Sequence, residues 1–283
     1  LARSSRRHNG EQFQPTLNSL WVLVSGLQQP QFPRPLKELT GSHRRTYRTV
    51  QSLTLQCAGV ELWQTESGFH GFSVYFWTPE RADYVIWSQA RPIESDLEWE
   101  PADALQQASL GGILLVKLLQ APCTLLQGWL SADNRLSSRD ETRLTAYSGR
   151  SASIPVCALE TIQSRWAKKI SVDPWQLLNP EPERIKVTSQ TPVQKLPGTQ
   201  TWFLYLWDGS GCRLRVEGDL KGPQKQAFEQ LSASPQIPID EIFGVIHCNQ
   251  GELVIRPVAL HWRDDPRLYH LTAPQLKAAN LEA

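Results

Sequence analysis

Apolar residues recur at two spacings along this chain, and the spacings sort them into strands and helices. Val50, Leu53, Leu55, Cys57 and Val60 alternate imperfectly. That pattern predicts a strand with a bulge or bend at Gly59. Val74–Trp77 and Tyr84–Trp87 predict a hairpin around the loop Thr78–Asp83. Helical spacing follows up to Leu105, then a Gly111–Gly112 break and an apolar run ended by Pro122. Residues 123–147 predict strand, tight turn at Asp133–Asn134, and strand, because Asp and Asn tolerate the left-handed backbone such a turn needs.

The clearest helix pattern is Val156, Leu159, Ile162, Trp166 and Ile170, with Pro155 suited to the first turn. A polar, Pro-punctuated connector follows to residue 200. Thr201–Trp207, the turn Asp208–Gly211 and Cys212–Val216 predict a second hairpin. A helix opening at Pro223 puts Ala227, Phe228 and Leu231 on one face. A last hairpin turns at 249–251, and the stretch from Arg263 is expected to fray. Near the start, Thr16–Leu27 is a short apolar element compatible with strand or helix, followed by a linker at Pro30, Pro33 and Pro35.

The two halves echo each other. Tyr75-Phe76-Trp77 and Tyr205-Leu206-Trp207 each end a strand before a turn, and Gly128 and Gly244 each precede a turn rich in Asn. The expected fold is therefore α+β and β-rich, with two related hairpin–helix–hairpin modules shaped as small half-barrels or OB-like units. The expected organisation is a basic arm and linker (1–48), a first module (49–150), a helix and Pro-rich connector (151–200), a second module (201–262) and a polar tail (263–283).

Composition narrows the function classes. The chain has 283 residues, 40% hydrophobic and 20% charged, in the range of globular proteins. No apolar run is long enough for a membrane helix and no signal-peptide pattern is present, so a cytoplasmic protein with no membrane partner is expected. There is no Met and the first residue is Leu1, so we expect a part of a longer protein. The net charge of +1 is uneven: residues 1–48 hold eight Arg and Lys against two Glu, a net of +6, leaving −5 on the rest. Such an arm, with Arg44 and Arg45 at its end, suits phosphates or simply keeps the chain solvated.

Five cysteines, none in a CxxC pair and none with His at ligand spacing, read as reduced, buried thiols rather than a metal site. No Walker loop, GxSxG, HExxH or Rossmann fingerprint occurs. No catalytic residue and no cofactor is expected, and Asp264-Asp265 read as solvent-facing charges.

Binding chemistry is better represented. Aromatics that stack bases, with Arg tracking phosphates, are how small β-barrels hold single strands. Trp87, Arg91, Trp129 and Arg135 offer it in the first module. Arg213 and Arg215, sharing one strand face beside Tyr205 and Trp207, offer it in the second. The competing reading is that these aromatics are core, since Tyr75 and Trp77 point one way and Phe76 the other, as in a sheet buried on both faces.

The segments "GVELWQTESGFHGFSVYFW", "YVIWSQARP" and "GWLSADNRLSSRDETRLTA" resemble the region that follows the zinc finger in bacterial SWIM-type zinc finger proteins. The zinc pattern, CxC followed by CxH, is absent. The resemblance implies an intracellular, non-catalytic interaction or scaffolding module of a larger bacterial protein, with a protein or nucleic-acid partner. The alternative is a single-stranded nucleic-acid-binding protein of OB-like design.

Overall fold

The computed structural model describes residues 45–273, apart from 95–96, 138, 150–152, 173–179, 234, 236, 250–251 and 266, together with a few positions between 17 and 28. Arg44, most of the basic arm and the Pro30–Pro35 linker lie outside the described residues. Within the short apolar element, Leu17, Leu20, Trp21 and Val24 are helical.

The first sheet is built on β1 (Tyr47–Gln64), followed by β2 (Phe69–Thr78) and β3 (Asp83–Pro92). Helix α1 (Pro101–Gln107), the small hairpin β4 (Ser109–Leu110) and β5 (Ile113–Leu114), and α2 (Leu115–Leu118) come next. They lead to β6 (Cys123–Ser131), β7 (Leu136–Ser137) and β8 (Arg143–Ala146). An 18-residue strand is too long for one flat partner, and β1 serves two. Tyr47–Leu55 pairs with β6 and Gln56–Gln64 with β2, with the register shift between Cys57 and Gly59. The order is β3-β2-β1-β6-β7. A parallel bridge from Ile86 to Arg135 brings β7 back to β3, where Ile86 N donates to Asn134 O at 2.9 Å. Asn134 makes this turn with φ 58°.

Phe72, Val74, Phe76, Val85 and Trp87 fill the interior with Leu53, Leu55 and Leu125. Leu105, Leu110, Leu115 and Leu118 plug it from the α1–α2 segment. In β6, Gln127 has φ 55°. Leu130 beyond it is buried, and Trp129 is only half-buried.

The second sheet repeats this plan. Helix α3 (Leu159–Val172) precedes β9 (Glu181–Lys186), β10 (Ser189–Gln190) and β11 (Gln194–Lys195). Then come β12 (Thr201–Trp207), β13 (Arg213–Asp219), α4 (Gln224–Ala233), β14 (Ile239–Asn249), β15 (Glu252–Trp262) and β16 (Tyr269–His270). β9 pairs with β14, β10 and β11 pair with β12, and β13 runs parallel to β15. In both sheets a first strand divides between the second and fourth. A helical segment follows the third, and the fifth closes parallel to it. This is the connectivity of a five-stranded, OB-like barrel. Tyr75–Trp77 and Tyr205–Trp207 lie on the second strand of each barrel, and Gly128 and Gly244 on the fourth.

Three sequence expectations change. The sequence pattern finds the strand that opens the first barrel, at Val50–Val60, but leaves out the one that opens the second. In the second barrel that strand is the "connector", which looks polar because Arg184 and Lys186 face outward while Ile185 and Val187 are 1% and 2% exposed. Helix α3 starts at Leu159, where Asp208 Oδ2 accepts the Leu159 N–H at 2.8 Å. Pro155 and Val156 therefore precede it, and Val156 is exposed. The tail does not fray at once: Leu271, Thr272 and Ala273 are fully buried.

That buried tail helps join the barrels. The second half of β1 has β2 on one edge. Toward its other edge, Val60 N donates to His270 Nδ1 at 3.2 Å and Leu62 N to Thr272 Oγ1 at 2.8 Å. The outer face of β2–β3, with Tyr75, Trp77 and Tyr84, packs on Phe243, Val245, Val258 and Ala259 of β14–β15. Both faces of β2 are thus buried, one in its own barrel and one against the neighbour. At the rim, Tyr75 Oη donates to Glu61 Oε2 at 3.0 Å and Arg256 pairs with Glu61. Burial pushes the Tyr75 phenol up to about 12.

Candidate nucleic-acid interface

In an OB-like barrel the face of the second and third strands is the usual place for an oligonucleotide. In the first barrel the lower part of that face is closed by the second barrel. In the second barrel no described residue closes it, and its outer residues are half-exposed or exposed.

β12 reads TWFLYLW and alternates without a break. Trp202, Leu204 and Leu206 are buried, and Phe203, Tyr205 and Trp207 are half-exposed outside. Outer residues two apart in a strand sit about 6.6 Å from one another, so the three rings form a row. Their centroids are 5.8 Å apart for Phe203–Tyr205 and 6.4 Å for Tyr205–Trp207.

β13 lies beside them, with Arg213 opposite Trp207, Arg215 opposite Tyr205 and Glu217 opposite Phe203. The Arg213 guanidinium is 4.4 Å from the Tyr205 ring centroid and that of Arg215 is 5.2 Å from Phe203. Both distances are within the range of cation–π contacts.

The charges on this face are partly paired. Arg215 meets Glu217 at 3.0 Å and Glu252 at 3.8 Å, and Arg213 meets Glu252 at 4.0 Å. Asn249 Nδ2 donates to Glu217 at 2.9 Å. Burial works against the Glu217 carboxylate, but hydrogen bonds from His247 and Asn249 and the charge of Arg215 prevail and hold it below the usual range. The acidic side chains hold the arginines in place beside the rings.

At the Trp207 end a shallow hollow is lined by Thr188, Ser189, Asp208, Gly209 and Gly211. Asp208 builds the turn by accepting from Ser210 N at 3.0 Å, Ser210 Oγ at 2.6 Å and Cys212 N at 3.2 Å. Gly211 takes φ 81°, the left-handed region that favours glycine.

Of the residues expected from sequence, Arg213 and Arg215 come together here. Arg44 lies outside the described residues, and Trp87, Arg91, Trp129, Arg135 and Arg45 lie on the first barrel. Trp87 is a correction: it is 5% exposed inside that barrel, 5.8 Å from Phe72, and offers no surface. Its place on β3 alternates with Ile86, so it points inward. Trp129 is half-buried under the Arg139 guanidinium, 3.5 Å from its centroid. Arg91 is exposed at the end of β3, 5.4 Å from the Trp99 centroid. Arg45 is tied to Asp133 at 2.9 Å. Arg135 Nη1 donates to Ser88 Oγ at 3.1 Å.

Phe203 was missed by sequence reasoning. Six apolar residues in a row, Trp202–Trp207, hide which parity faces out. The signal that finds it is the Arg213–Arg215 alternation on the partner strand, carried across by register.

Other chemistry is thin. Among the described residues no group of three or more His, Cys, Asp or Glu is placed to hold a metal. All five cysteines are free, but only Cys123 is buried and the rest are half-buried. Burial pushes the Cys57 thiol up to about 12, and Cys123 and Cys157 to about 11, which leaves them unreactive. Among the described residues no helix is long and apolar enough to cross a membrane.

No family model matches the chain, and no curated protein matches it. Solved structures give weak likenesses. One is the Ifi202 HINa domain in complex with 20-bp dsDNA, 10% identical, covering 75% of this chain and 94% of that one with a TM-score of 0.35. Another is a replication protein A heterotrimer bound to ssDNA, 10% identical, covering 79% and 52%, with a TM-score of 0.33. A third is the p204 HINb domain, 10% identical, covering 76% and 95%, with a TM-score of 0.30. Likenesses at this level define neither fold nor function, which rest on the pairings and side chains described above.

Proposed function

We propose that this chain binds single-stranded nucleic acid across the outer face of β12 and β13. The observation that carries the reading is the row Phe203, Tyr205 and Trp207, half-exposed at strand spacing, with Arg213 and Arg215 held beside it. Bases stack on such rings whatever their identity, each adding roughly 1–3 kcal/mol. Two arginines then reach backbone phosphates. A duplex hides its base faces, so this row suits an unpaired strand.

The nearby glutamates temper the charge, so the reading calls for stacking to contribute more than counterion release. Few phosphates are engaged, and the dependence on salt should be shallow, with a log–log slope of about −2 or less steep.

The broader reading, a binding module that performs no chemistry, is served by the same face. The matching order of strands supports a duplicated unit in which one copy keeps its open face and the other gives it up to the interface.

The test is fluorescence anisotropy with labelled oligothymidine at low salt. Binding that is lost in Tyr205→Ala with Trp207→Ala supports the proposal. Absence of any shift at low salt overturns it and leaves a protein partner as the occupant of the face.

A further inference from the structure

The outer face of the first barrel is only half covered. Below, Tyr75, Trp77 and Tyr84 are sealed by the second barrel. One row further along β1, β2 and β3 lie Glu61, Ser73 and Ser88, cross-strand neighbours by register. The next row brings Trp63 opposite Gly71. The Trp63 ring lies over that glycine, where a Cβ would come within 2.8 Å of it.

A chain of polar contacts crosses this rim. Trp63 Nε1 donates to Ser73 Oγ at 2.9 Å, the Ser73 and Ser88 hydroxyls are 2.8 Å apart, and Arg135 Nη1 donates to Ser88 Oγ. From the other barrel Arg256 reaches Glu61, which is 2% exposed on its side chain. The second Glu61 oxygen is taken by Tyr75. The buried Glu61 carboxylate is thus paired with Arg256, while Arg135 is held by a neutral hydroxyl. The Arg135 charge and the half-exposed Trp63 indole are thus the two ends of one chain of hydroxyl contacts.

The rim also lines up with the row of rings. β13 and β15 are parallel with Arg215 opposite Val254. The same register, two residues on, sets Arg256 in the cross-strand row of Glu217 and Phe203. From β12 to β15 is two strand spacings, about 10 Å.

We propose that a strand lying on Phe203, Tyr205 and Trp207 continues past Arg256 to the rim of the first barrel, with a phosphate on Arg135 and a base against Trp63. This rests on the nucleic-acid reading above. It deepens that reading by making the two barrels one continuous site for a longer strand, with the Phe203 end of the row toward the junction.

The experiment compares oligothymidines of about 4 and about 12 nucleotides on the wild type, Arg135→Ala, Trp63→Leu and Tyr205→Ala. Each protein is first shown to unfold cooperatively. The proposal expects the longer strand to bind the wild type more tightly. It expects Arg135→Ala to weaken the longer strand about tenfold, the scale of one lost hydrogen bond to a charged group, while leaving the shorter one unchanged. Trp63→Leu, which touches no charge, should show the same length selectivity. Tyr205→Ala should weaken both strands. If Arg135→Ala and Trp63→Leu bind both lengths like the wild type while Tyr205→Ala loses them, the strand does not cross the junction and the open-face reading survives. If no oligomer binds the wild type, both readings fall.

Discussion

A methyl group on Gly59 would sit 2.8 Å from Phe243 Cδ1 and 2.8 Å from Val258 Cγ1, both side chains of the other barrel. Gly59 is therefore a point of close approach between the two halves, with no room for a side chain. The bend that divides β1 between two partners falls at the same place. One residue thus serves both the curvature of the first barrel and its packing on the second.

Gly59→Ala should cost about 1–3 kcal/mol, the range of an overpacked core site. Phe243→Ala alone should also destabilise, by loss of an aromatic ring. The double variant should be more stable than the sum of the two predicts, because one of the two side chains that meet the methyl is then gone. Chemical denaturation of the four proteins measures this coupling, and simple additivity would refute the contact.

His270 should make the junction sensitive to acid. Burial, with a contribution from His261, lowers its folded-state pKa to about 4 from an ordinary 6.5. Between those values the unfolded chain binds a proton that the folded chain does not, so stability falls as pH drops from 6.5 toward 4. Protonation also takes away the lone pair that accepts the Val60 N–H. The full loss is roughly 3 kcal/mol at most. Thermal unfolding followed against pH should show this slope, and it should flatten in His270→Gln.

Tyr205→Ala and Trp207→Ala should each weaken single-strand binding by roughly 1–3 kcal/mol. Because both rings are half-exposed, melting temperatures should move little. Arg213→Glu with Arg215→Glu should weaken binding further and reduce the salt slope. Anisotropy titrations at several salt concentrations distinguish these effects.

Asp208→Ala should destabilise the second barrel. The carboxylate caps α3 through Leu159 N and closes the β12–β13 turn through Ser210 and Cys212. Loss of such a cap costs about 0.5–2 kcal/mol, and the turn bonds add to this. Asp208→Asn, which keeps acceptor oxygen, should recover part of the loss in a melting curve.

The hairpins were legible in the sequence because their partners are near neighbours and their turns carry Asp, Asn and Gly. The helices around Leu105, Leu159 and Leu231 were legible from apolar spacing. Closure was not, because β1 pairs with β6 across 68 to 84 residues and β9 with β14 across 55 to 65. Nor was the role of the segment after Arg263, whose His270 and Thr272 read as polar tail until the free N–H groups of β1 stand opposite them. Of the candidate site, Arg213 and Arg215 could be found by alternation. Trp87 could not be excluded, since an aromatic on a strand looks the same inside a barrel or outside it.

The sequence by itself determined the hairpin strands, their turns and the spacing of the helices. Tyr75-Phe76-Trp77 and Tyr205-Leu206-Trp207 show where that stops. They are near copies on equivalent strands, yet Tyr75 and Trp77 are sealed against Phe243 while Tyr205 and Trp207 face solvent beside two arginines. Local pattern fixes that two rings share a face of a strand. Whether the face is core or surface depends on what distant chain packs there, and only the tertiary structure placed β14 and β15 over one barrel and left the other open.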